Sequence, residues 1–289
     1  MLDNTPTIAE LRQIFMSRLH DIYESEEISS LFSIVVEDIL GYNRAEMHVR
    51  LSESVHPVKI GMIEAIIEGL IRQEPIQYML GKAEFYGMNF RVNPHVLIPR
   101  PETEELVRWI IDEVNPVSKE MNLIDLGTGS GCIAIALKKH LTRARVYGID
   151  KSVSALNIAQ QNAELNGVGV DFFGFDLLER ESLNFMEFDV MVSNPPYVTY
   201  SDKEEMSRNV VDYEPHEALF VENGDPLLFY RKIVDLADGH LNKNGKIFFE
   251  INERFGPEIR SLLTDRGYNR VEIRADLNGK DRMVKAEKS

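Results

Sequence analysis

The sequence predicts an α/β fold in which helices cover both faces of a parallel sheet, preceded by a small helical bundle. Two observations lead to this prediction. In about the first 80 residues, apolar side chains recur at spacings of three and four, as on one face of a helix. From residue 121 onward, short apolar segments alternate with amphipathic ones, which is typical of strands and helices in a parallel sheet. The 289 residues suffice for one large domain or two of ordinary size.

Composition narrows the class of protein. The chain carries 32 Lys and Arg against 47 Asp and Glu, a net charge of −15, which argues against a protein that grips nucleic acid by its phosphates. Cys132 is the single cysteine, so an intramolecular disulfide and a cysteine-cluster metal site are excluded. The first residues lack the basic and apolar regions of a signal peptide, and no apolar run is long enough to cross a bilayer. We therefore expect a cytoplasmic protein without membrane association.

Residues 1–80 are predicted to form a bundle of about four helices, and Gly41 is a natural end for the second. They contain no cluster of chemically reactive side chains, so we expect this domain to recognise a partner or substrate. Residues 81–100 alternate apolar and polar side chains around Gly87, which predicts a β-hairpin linker between two domains. Residues 101–289 then form the second domain, which begins with a helix over 104–114.

The second domain is read as five parallel strands, their connecting helices and a closing hairpin. The predicted parallel strands are 122–126, 145–150, 170–175, 188–192 and 245–251. The predicted helices are 132–140, 152–166, 226–240 and 257–266. Strands 270–274 and 282–286 flank Asn278-Gly279, a hairpin signal that would add antiparallel strands at one edge of the sheet.

The turn Gly127-Thr128-Gly129-Ser130-Gly131 lies between the first of these strands and a helix. Glycine allows a sharp turn and the close approach of a ligand, and a helix N-terminus attracts negative groups. A dinucleotide fold requires G-x-G-x-x-G, and Cys132 occupies the last position, so a nicotinamide dehydrogenase is disfavoured. The spacing G-x-G-x-G is that of S-adenosylmethionine-dependent methyltransferases, although a purely structural turn could use the same glycines.

Two acidic residues end the next two strands. Asp150 is placed to accept both hydroxyl groups of a ribose, unless it serves as the N-cap of the following helix, a role that Ser152 could fill. Asp176 could accept from an adenine amino group, with the Leu177 backbone N–H on a ring nitrogen; the alternative is an ordinary turn aspartate. The ends of parallel strands meet at one edge of a sheet, so these residues predict a nucleoside pocket.

Asn194-Pro195-Pro196-Tyr197 follows the apolar strand 188–192. Two prolines cannot continue a sheet, because neither has an N–H to donate. The chain must leave the sheet in a stiff loop whose amide and aromatic ring suit recognition of a flat polar group. The alternative is a strand terminator with an exposed tyrosine.

The tetrapeptide 194–197 after the glycine turn resembles methyltransferases that modify planar amino nitrogens, namely adenine-N6 DNA enzymes and protein glutamine-N5 enzymes. Three further features resemble the release-factor glutamine methyltransferases, the HemK or PrmC family. They are the helical N-terminal domain and the stretches Glu74-Pro75-Ile76-Gln77-Tyr78-Met79-Leu80-Gly81 and Leu97-Ile98-Pro99-Arg100-Pro101-Glu102-Thr103-Glu104. The resemblance runs through essentially the whole chain. Leu177 departs from members that carry an aromatic residue after the third-strand acid.

The resemblance implies a Rossmann-like class I S-adenosylmethionine-dependent methyltransferase fold and methylation of the glutamine in the Gly-Gly-Gln loop of class I peptide release factors. The product would be S-adenosylhomocysteine, no metal is needed, and we expect a monomer. Residues 127–131, Asp150, Asp176, Leu177 and Asn194 would bind the cofactor. The substrate amide would lie against residues 194–197. The Asn194 side-chain oxygen and the Pro195 carbonyl would each accept one amide hydrogen, and Tyr197 would pack on the amide plane.

Two other functions remain open at this point. An adenine-N6 nucleic-acid methyltransferase would need a basic track, which the net charge disfavours. A catalytically idle S-adenosylmethionine-binding protein that docks to translation factors would not require the intact tetrapeptide 194–197.

Overall fold

The structure is a computed structural model that describes residues 5–114, 120–179, 182–183 and 186–289. It divides into two units. The first comprises Met1–Gly81 with Arg208–Tyr213, and the second comprises Lys82–Ser207 with Glu214–Ser289. A short stretch from the second half of the chain thus belongs to the N-terminal unit.

The N-terminal unit is the predicted helical bundle, with five helices between residues 5 and 81. They are α1 (Ile8–Leu19), α2 (Ser25–Leu40), α3 (Arg44–Val49), α4 (Pro57–Ile71) and α5 (Ile76–Leu80). Helix α2 ends as predicted, because Gly41 adopts a left-handed φ of 75° as its C-cap. Phe15 and Phe32 pack edge to face at 5.4 Å in the core of this unit. From the inserted stretch, the Tyr213 hydroxyl donates to the Arg72 carbonyl at 2.9 Å.

Strands β1 (Lys82–Phe85) and β2 (Met88–Arg91) form the predicted antiparallel hairpin. Its two-residue turn places Tyr86 and Gly87 at φ values of 52° and 70°, as a tight primed turn requires. Phe85 and Phe90 are completely buried in one cluster with Trp109. Because of this burial, the hairpin is part of the C-terminal unit, whereas the sequence suggested a linker between domains.

The main sheet of the C-terminal unit has seven strands, which are β3 (Asn122–Leu126), β4 (Arg145–Asp150), β5 (Asp171–Gly174), β6 (Phe188–Ser193), β9 (Leu241–Glu250), β10 (Tyr268–Ala275) and β11 (Asp281–Lys288). Their order across the sheet is β10-β11-β9-β6-β3-β4-β5. The five from β9 to β5 are parallel, and β11 and β10 are antiparallel additions at one edge, as predicted. A separate two-residue pair consists of β7 (Val198–Thr199) and β8 (Phe220–Val221).

Helices cover both faces of this sheet. They are α6 (Pro101–Val114), α7 (Cys132–His140), α8 (Val153–Asn166), α11 (Leu228–His240) and α12 (Gly256–Asp265). Two short helices, α9 (Arg208–Val211) and α10 (His216–Leu219), follow β7. Strand β3 lies between β4 and β6, so the order of strands reverses beside it, and a crevice opens at the carboxyl ends of these strands.

Candidate active site

A cavity of about 420 Å³ occupies this crevice in the C-terminal unit. Its size is within the range of about 300–1,000 Å³ typical of small-molecule sites. Of the residues selected from the sequence, all but Gly131 and Tyr197 are among the described residues that line it. These lining residues are Gly127, Thr128, Gly129, Ser130, Asp150, Asp176, Leu177, Asn194, Pro195 and Pro196.

The glycine turn is held against β4 by its own backbone. The N–H groups of Gly127 and Thr128 both donate to the Ile149 carbonyl, at 2.9 and 2.8 Å. Gly127, Gly129 and Gly131 have φ values of 79°, 53° and 81°, a left-handed backbone that favours glycine. The turn is therefore fixed before any ligand binds.

Gly131 has a structural role of its own in the turn. A Cβ atom there would lie 3.0 Å from Cδ1 of Ile135 and 3.1 Å from Cβ of Ala159. The glycine thus allows the start of α7 to approach α8 closely. This packing explains why Gly131 supports the turn although it does not line the cavity.

Asp125, which the sequence analysis did not select, lies beneath the turn at 1% exposure. Its Oδ2 accepts from the Thr128 hydroxyl at 2.6 Å. Burial raises the pKa of Asp125 to about 7, and the nearby charge of Asp150 adds to the shift. An acid at the fourth position of an apolar strand that leads into the glycine turn was the available signal.

Asp150 connects the glycine turn to the end of β4. Its Oδ2 accepts from the Gly129 N–H at 2.9 Å, and its Oδ1 accepts from the Ser152 N–H at 2.9 Å. Ser152 is the N-cap of α8, and its side chain accepts from the Ala155 N–H. The carboxylate of Asp150 is therefore not needed as a cap and remains on the cavity wall. Burial raises the pKa of Asp150.

Asp176 and Leu177 lie just beyond β5, and both are half-buried. The Asp176 Oδ1 accepts from the Leu178 N–H at 2.8 Å, which orients the carboxylate. Leu177 packs against the core cluster that contains Phe175, and all three residues from Phe175 to Leu177 line the cavity. This end of the cavity combines an apolar wall with one oriented acceptor.

The side-chain amide of Asn194 is joined to two buried residues that the sequence analysis missed. Its Nδ2 donates to the Thr103 hydroxyl at 3.2 Å, and that hydroxyl donates to Oε2 of Glu250 at 2.6 Å. Thr103 and Glu250 are 2% and 1% exposed. Burial raises the pKa of Glu250. Their signals were a threonine in the first turn of α6 and a single acid at the end of the apolar strand β9.

Tyr197 lies outside the cavity wall and points into the protein. Its hydroxyl donates to Oε1 of Glu250 at 3.0 Å, and burial raises its pKa. The ring packs against the core cluster around Phe249. The structure thus connects Tyr197 to Asn194 through Glu250 and Thr103, and the expected contact with a substrate amide stays a prediction.

Two ion pairs lie beside the cavity. Glu214, which is 4% exposed, accepts from the Ile98 N–H at 3.1 Å and pairs with Arg100. Lys151 and Glu217 form a second pair at 2.7 Å. Because all of these side chains except Glu214 and Ile98 line the cavity, the pairs connect the segments on either side of it. Sequence reasoning did not find Glu214 or Glu217.

The cavity wall provides carboxylate and amide oxygens as hydrogen-bond acceptors. Burial raises the pKa of the Cys132 thiol to about 12, so this lining residue stays protonated. Among the described residues, no group of three or more His, Cys, Asp or Glu is arranged to hold a metal ion. In the same part of the chain, no helix combines the length and the apolar character needed to cross a bilayer. The site is suited to bind a ligand with hydroxyl or amino donors and to orient a second one.

Comparison with known proteins gives matches over most of the chain. Residues 107–217 match the methyltransferase small domain family, and residues 10–81 match the PrmC N-terminal domain. The release factor glutamine methyltransferase of Flavobacterium psychrophilum is 45% identical over 280 residues, which cover 96% of this chain and 98% of that protein. The protein of the same name from Bacteroides thetaiotaomicron is 43% identical, with 93% and 96% covered.

A crystal structure of a methyltransferase from Pyrococcus furiosus has a TM-score of 0.53 with this protein at 18% identity. The alignment covers 78% of this chain and 99% of that one. At this identity the likeness concerns the fold alone.

Proposed function

Because the chain belongs to the release factor glutamine methyltransferase family, we propose that it methylates the glutamine N5 amide in the Gly-Gly-Gln loop of class I peptide release factors. The methyl donor is S-adenosylmethionine, and S-adenosylhomocysteine is the product. The C-terminal unit has the class I methyltransferase fold, and a helical N-terminal domain precedes it. The observation that carries the proposal is the Asn194 amide, half-buried at the edge of a cavity at the strand ends.

The acceptor oxygens on the cavity wall fit S-adenosylmethionine. The carboxylate of Asp150 lies on the wall beside the fixed glycine turn and would accept from the ribose hydroxyls. Asp176 would accept from the adenine amino group, and the Leu177 N–H would donate to a ring nitrogen. The glycine turn, residues 127–131, lets the ligand approach the protein backbone closely. The cofactor supplies an electrophilic methyl group on a sulfonium.

The task of the protein is then to hold the substrate nitrogen. An amide nitrogen is a poor nucleophile, because its lone pair is delocalised into the carbonyl. Asn194 Oδ1 and the Pro195 carbonyl would each accept one of its two hydrogens, which fixes it in line for transfer. Accepting both hydrogens also favours positive charge that develops on the nitrogen. Pro196 stiffens this loop, and Tyr197 supports it through Glu250. The proton can leave to solvent.

We further propose that the N-terminal domain, residues 1–80, selects the release factor. The described part of that domain has its own core and lines none of the cavity. We also propose that the protein acts as a monomer in the cytoplasm, where release factors work. The net charge of −15 argues against a basic surface that would bind nucleic acid.

Mass spectrometry tests the proposed function. A purified class I release factor is incubated with the protein and S-adenosylmethionine, digested, and examined at the Gly-Gly-Gln peptide. We expect one added methyl group on that glutamine. A release factor whose loop glutamine is changed to glutamate is the matched control and should remain unmodified. Methylation absent from both, with cofactor binding intact, would instead support the docking-protein alternative.

A further inference from the structure

The hydrogen bonds behind Asn194 have a defined direction. Asn194 follows β6, Glu250 ends the neighbouring strand β9, and Thr103 is in the first turn of α6. The Asn194 Nδ2 to Thr103 Oγ1 distance is 3.2 Å, and the Thr103 Oγ1 to Glu250 Oε2 distance is 2.6 Å. All three elements are in the C-terminal unit.

The hydrogens available on these groups fix the direction of the hydrogen bonds from Asn194 through Thr103 to Glu250 while the Glu250 carboxylate is ionised. An ionised carboxylate can only accept, so the single hydrogen of the Thr103 hydroxyl must point to Glu250. The oxygen of Thr103 can then only accept, and an amide can approach it only with its NH₂ group. The second oxygen of Glu250 is also occupied, because it accepts from the Tyr197 hydroxyl at 3.0 Å.

The same arrangement favours the ionised form of Glu250. A proton on either oxygen would meet a hydroxyl that already donates to that oxygen, so the hydroxyl would have to redirect its own hydrogen to another acceptor. The Arg282 guanidinium attracts the charge, and its Nη1 donates to the carbonyl of Ile251, the residue next to Glu250. Burial opposes ionisation and outweighs these contacts, so the pKa of Glu250 is raised above its ordinary value and the contacts offset only part of the desolvation cost.

We propose that Thr103 and Glu250 are positioning residues that set the polarity of the Asn194 amide, so that its Oδ1 faces the cavity and the site accepts only a target that presents an N–H donor. This inference rests on the proposed function, since it explains how the acceptor for the glutamine amide is created. Without the pair, the amide could turn by half a rotation and present its NH₂ group to the substrate NH₂ group, donor against donor.

Three substitutions in the full-length protein test the proposal. Thr103→Val keeps the shape of the side chain and removes the hydroxyl. Thr103→Ser keeps the hydroxyl and removes a methyl group. Glu250→Gln introduces an NH₂ group that can donate to Thr103 and so reverse the direction of the hydrogen bonds. Thr264→Val, which removes an exposed hydroxyl from α12, is the control for loss of a threonine hydroxyl.

Methylation of a purified class I release factor is measured with saturating S-adenosylmethionine, and cofactor affinity is measured by calorimetry. Thr103→Val and Glu250→Gln should each lower kcat by about 10-fold, the scale of one orienting hydrogen bond, with the KM for release factor and the cofactor affinity unchanged. Thr103→Ser should restore most of the rate. Thr264→Val should match the wild type.

The outcomes separate this inference from the function it rests on. If the wild type methylates the release factor and Thr103→Val is as fast as Thr103→Ser, the positioning role is wrong. A loss of cofactor affinity equal to the loss of rate would also overturn it, because the pair would then support the pocket as a whole. If Thr103→Val does not fold, Glu250→Gln decides, and a wild-type rate there refutes the inference. A wild type that leaves the release factor unmethylated refutes the proposed function itself.

Discussion

The buried carboxyl group of Asp125 should make the stability of the protein depend on pH in a predictable direction. Its pKa rises from 3.8 to about 7 on folding, mainly because the side chain is buried at 1% exposure. A shift of about 3 pH units at about 1.36 kcal/mol each gives about 4 kcal/mol. Below the unfolded pKa, both states are protonated and nothing is lost. As the pH rises toward the folded pKa, the folded state increasingly retains a proton that the unfolded state releases, so stability falls. Above the folded-state pKa, the full cost of about 4 kcal/mol is subtracted from the stability of the protein.

Asp125→Asn should remove this dependence. The amide oxygen can still accept from the Thr128 hydroxyl, so the glycine turn keeps its anchor. Urea unfolding is measured for both proteins between about pH 4 and about pH 8. The free energy of unfolding of the variant minus that of the wild type should grow by up to about 4 kcal/mol and level off above about pH 7. Asp171→Asn, at an exposed position of β5, is the control.

A difference between Asp125→Asn and wild type that does not change with pH would refute the reasoning. It would mean that Asp125 is ionised in the folded protein as easily as in the unfolded chain. A difference that shrinks with rising pH would show that the charged form is stabilised by the fold.

Three further predictions concern the cavity and the glycine turn beside it. Asp150→Ala should weaken S-adenosylmethionine binding by about 1–3 kcal/mol in calorimetry, and unchanged affinity would count against the ribose assignment. Asn194→Ala should lower single-turnover methylation by about 10²–10³ with little change in substrate affinity, whereas Asn194→Asp, which keeps an acceptor, should retain more activity; equal rates for wild type and Asn194→Ala would contradict this role. Gly131→Ala should destabilise the protein in urea by about 1–3 kcal/mol, because its Cβ would meet Ile135 and Ala159 at 3.0 and 3.1 Å. Gly129→Ala, with a left-handed φ but open space around it, should lose less, and an equal loss would show that backbone strain alone is responsible.

The sheet could be predicted from sequence because each parallel strand is an apolar run with a clear end. Strands β3 and β4 have the predicted bounds, and β6 is one residue longer at Ser193. Strand β9 begins four residues earlier than expected, at Leu241. Asn244 and Gly245 resemble a turn, and Asn244 does have a left-handed φ of 61°. The register between β6 and β9 is irregular just there, so the chain continues the sheet through a bulge.

The cavity wall was also largely predictable, because strand ends meet at one edge of a parallel sheet. The residues behind that wall, Thr103 and Glu250, could not be predicted as part of the site. Thr103 and Glu250 are 147 positions apart, and only the packing of α6 against the end of β9 brings them together. The orientation of Tyr197 depends on the same pair. A local pattern contains no information on such a contact, since both residues are ordinary choices for their own elements.

The insertion of Arg208–Tyr213 into the N-terminal unit has a topological consequence. The two units are joined by three covalent crossings, after Gly81, after Ser207 and after Tyr213. Cleavage between Gly81 and Lys82 therefore produces two fragments. The larger fragment still carries the segment Arg208–Tyr213, which belongs to the N-terminal unit. The hydrogen bond from Tyr213 to the Arg72 carbonyl is one of the contacts that would reunite them. We therefore expect fragments 1–81 and 82–289 to reassociate and restore activity, because the hexapeptide 208–213 of the larger fragment packs with the smaller fragment.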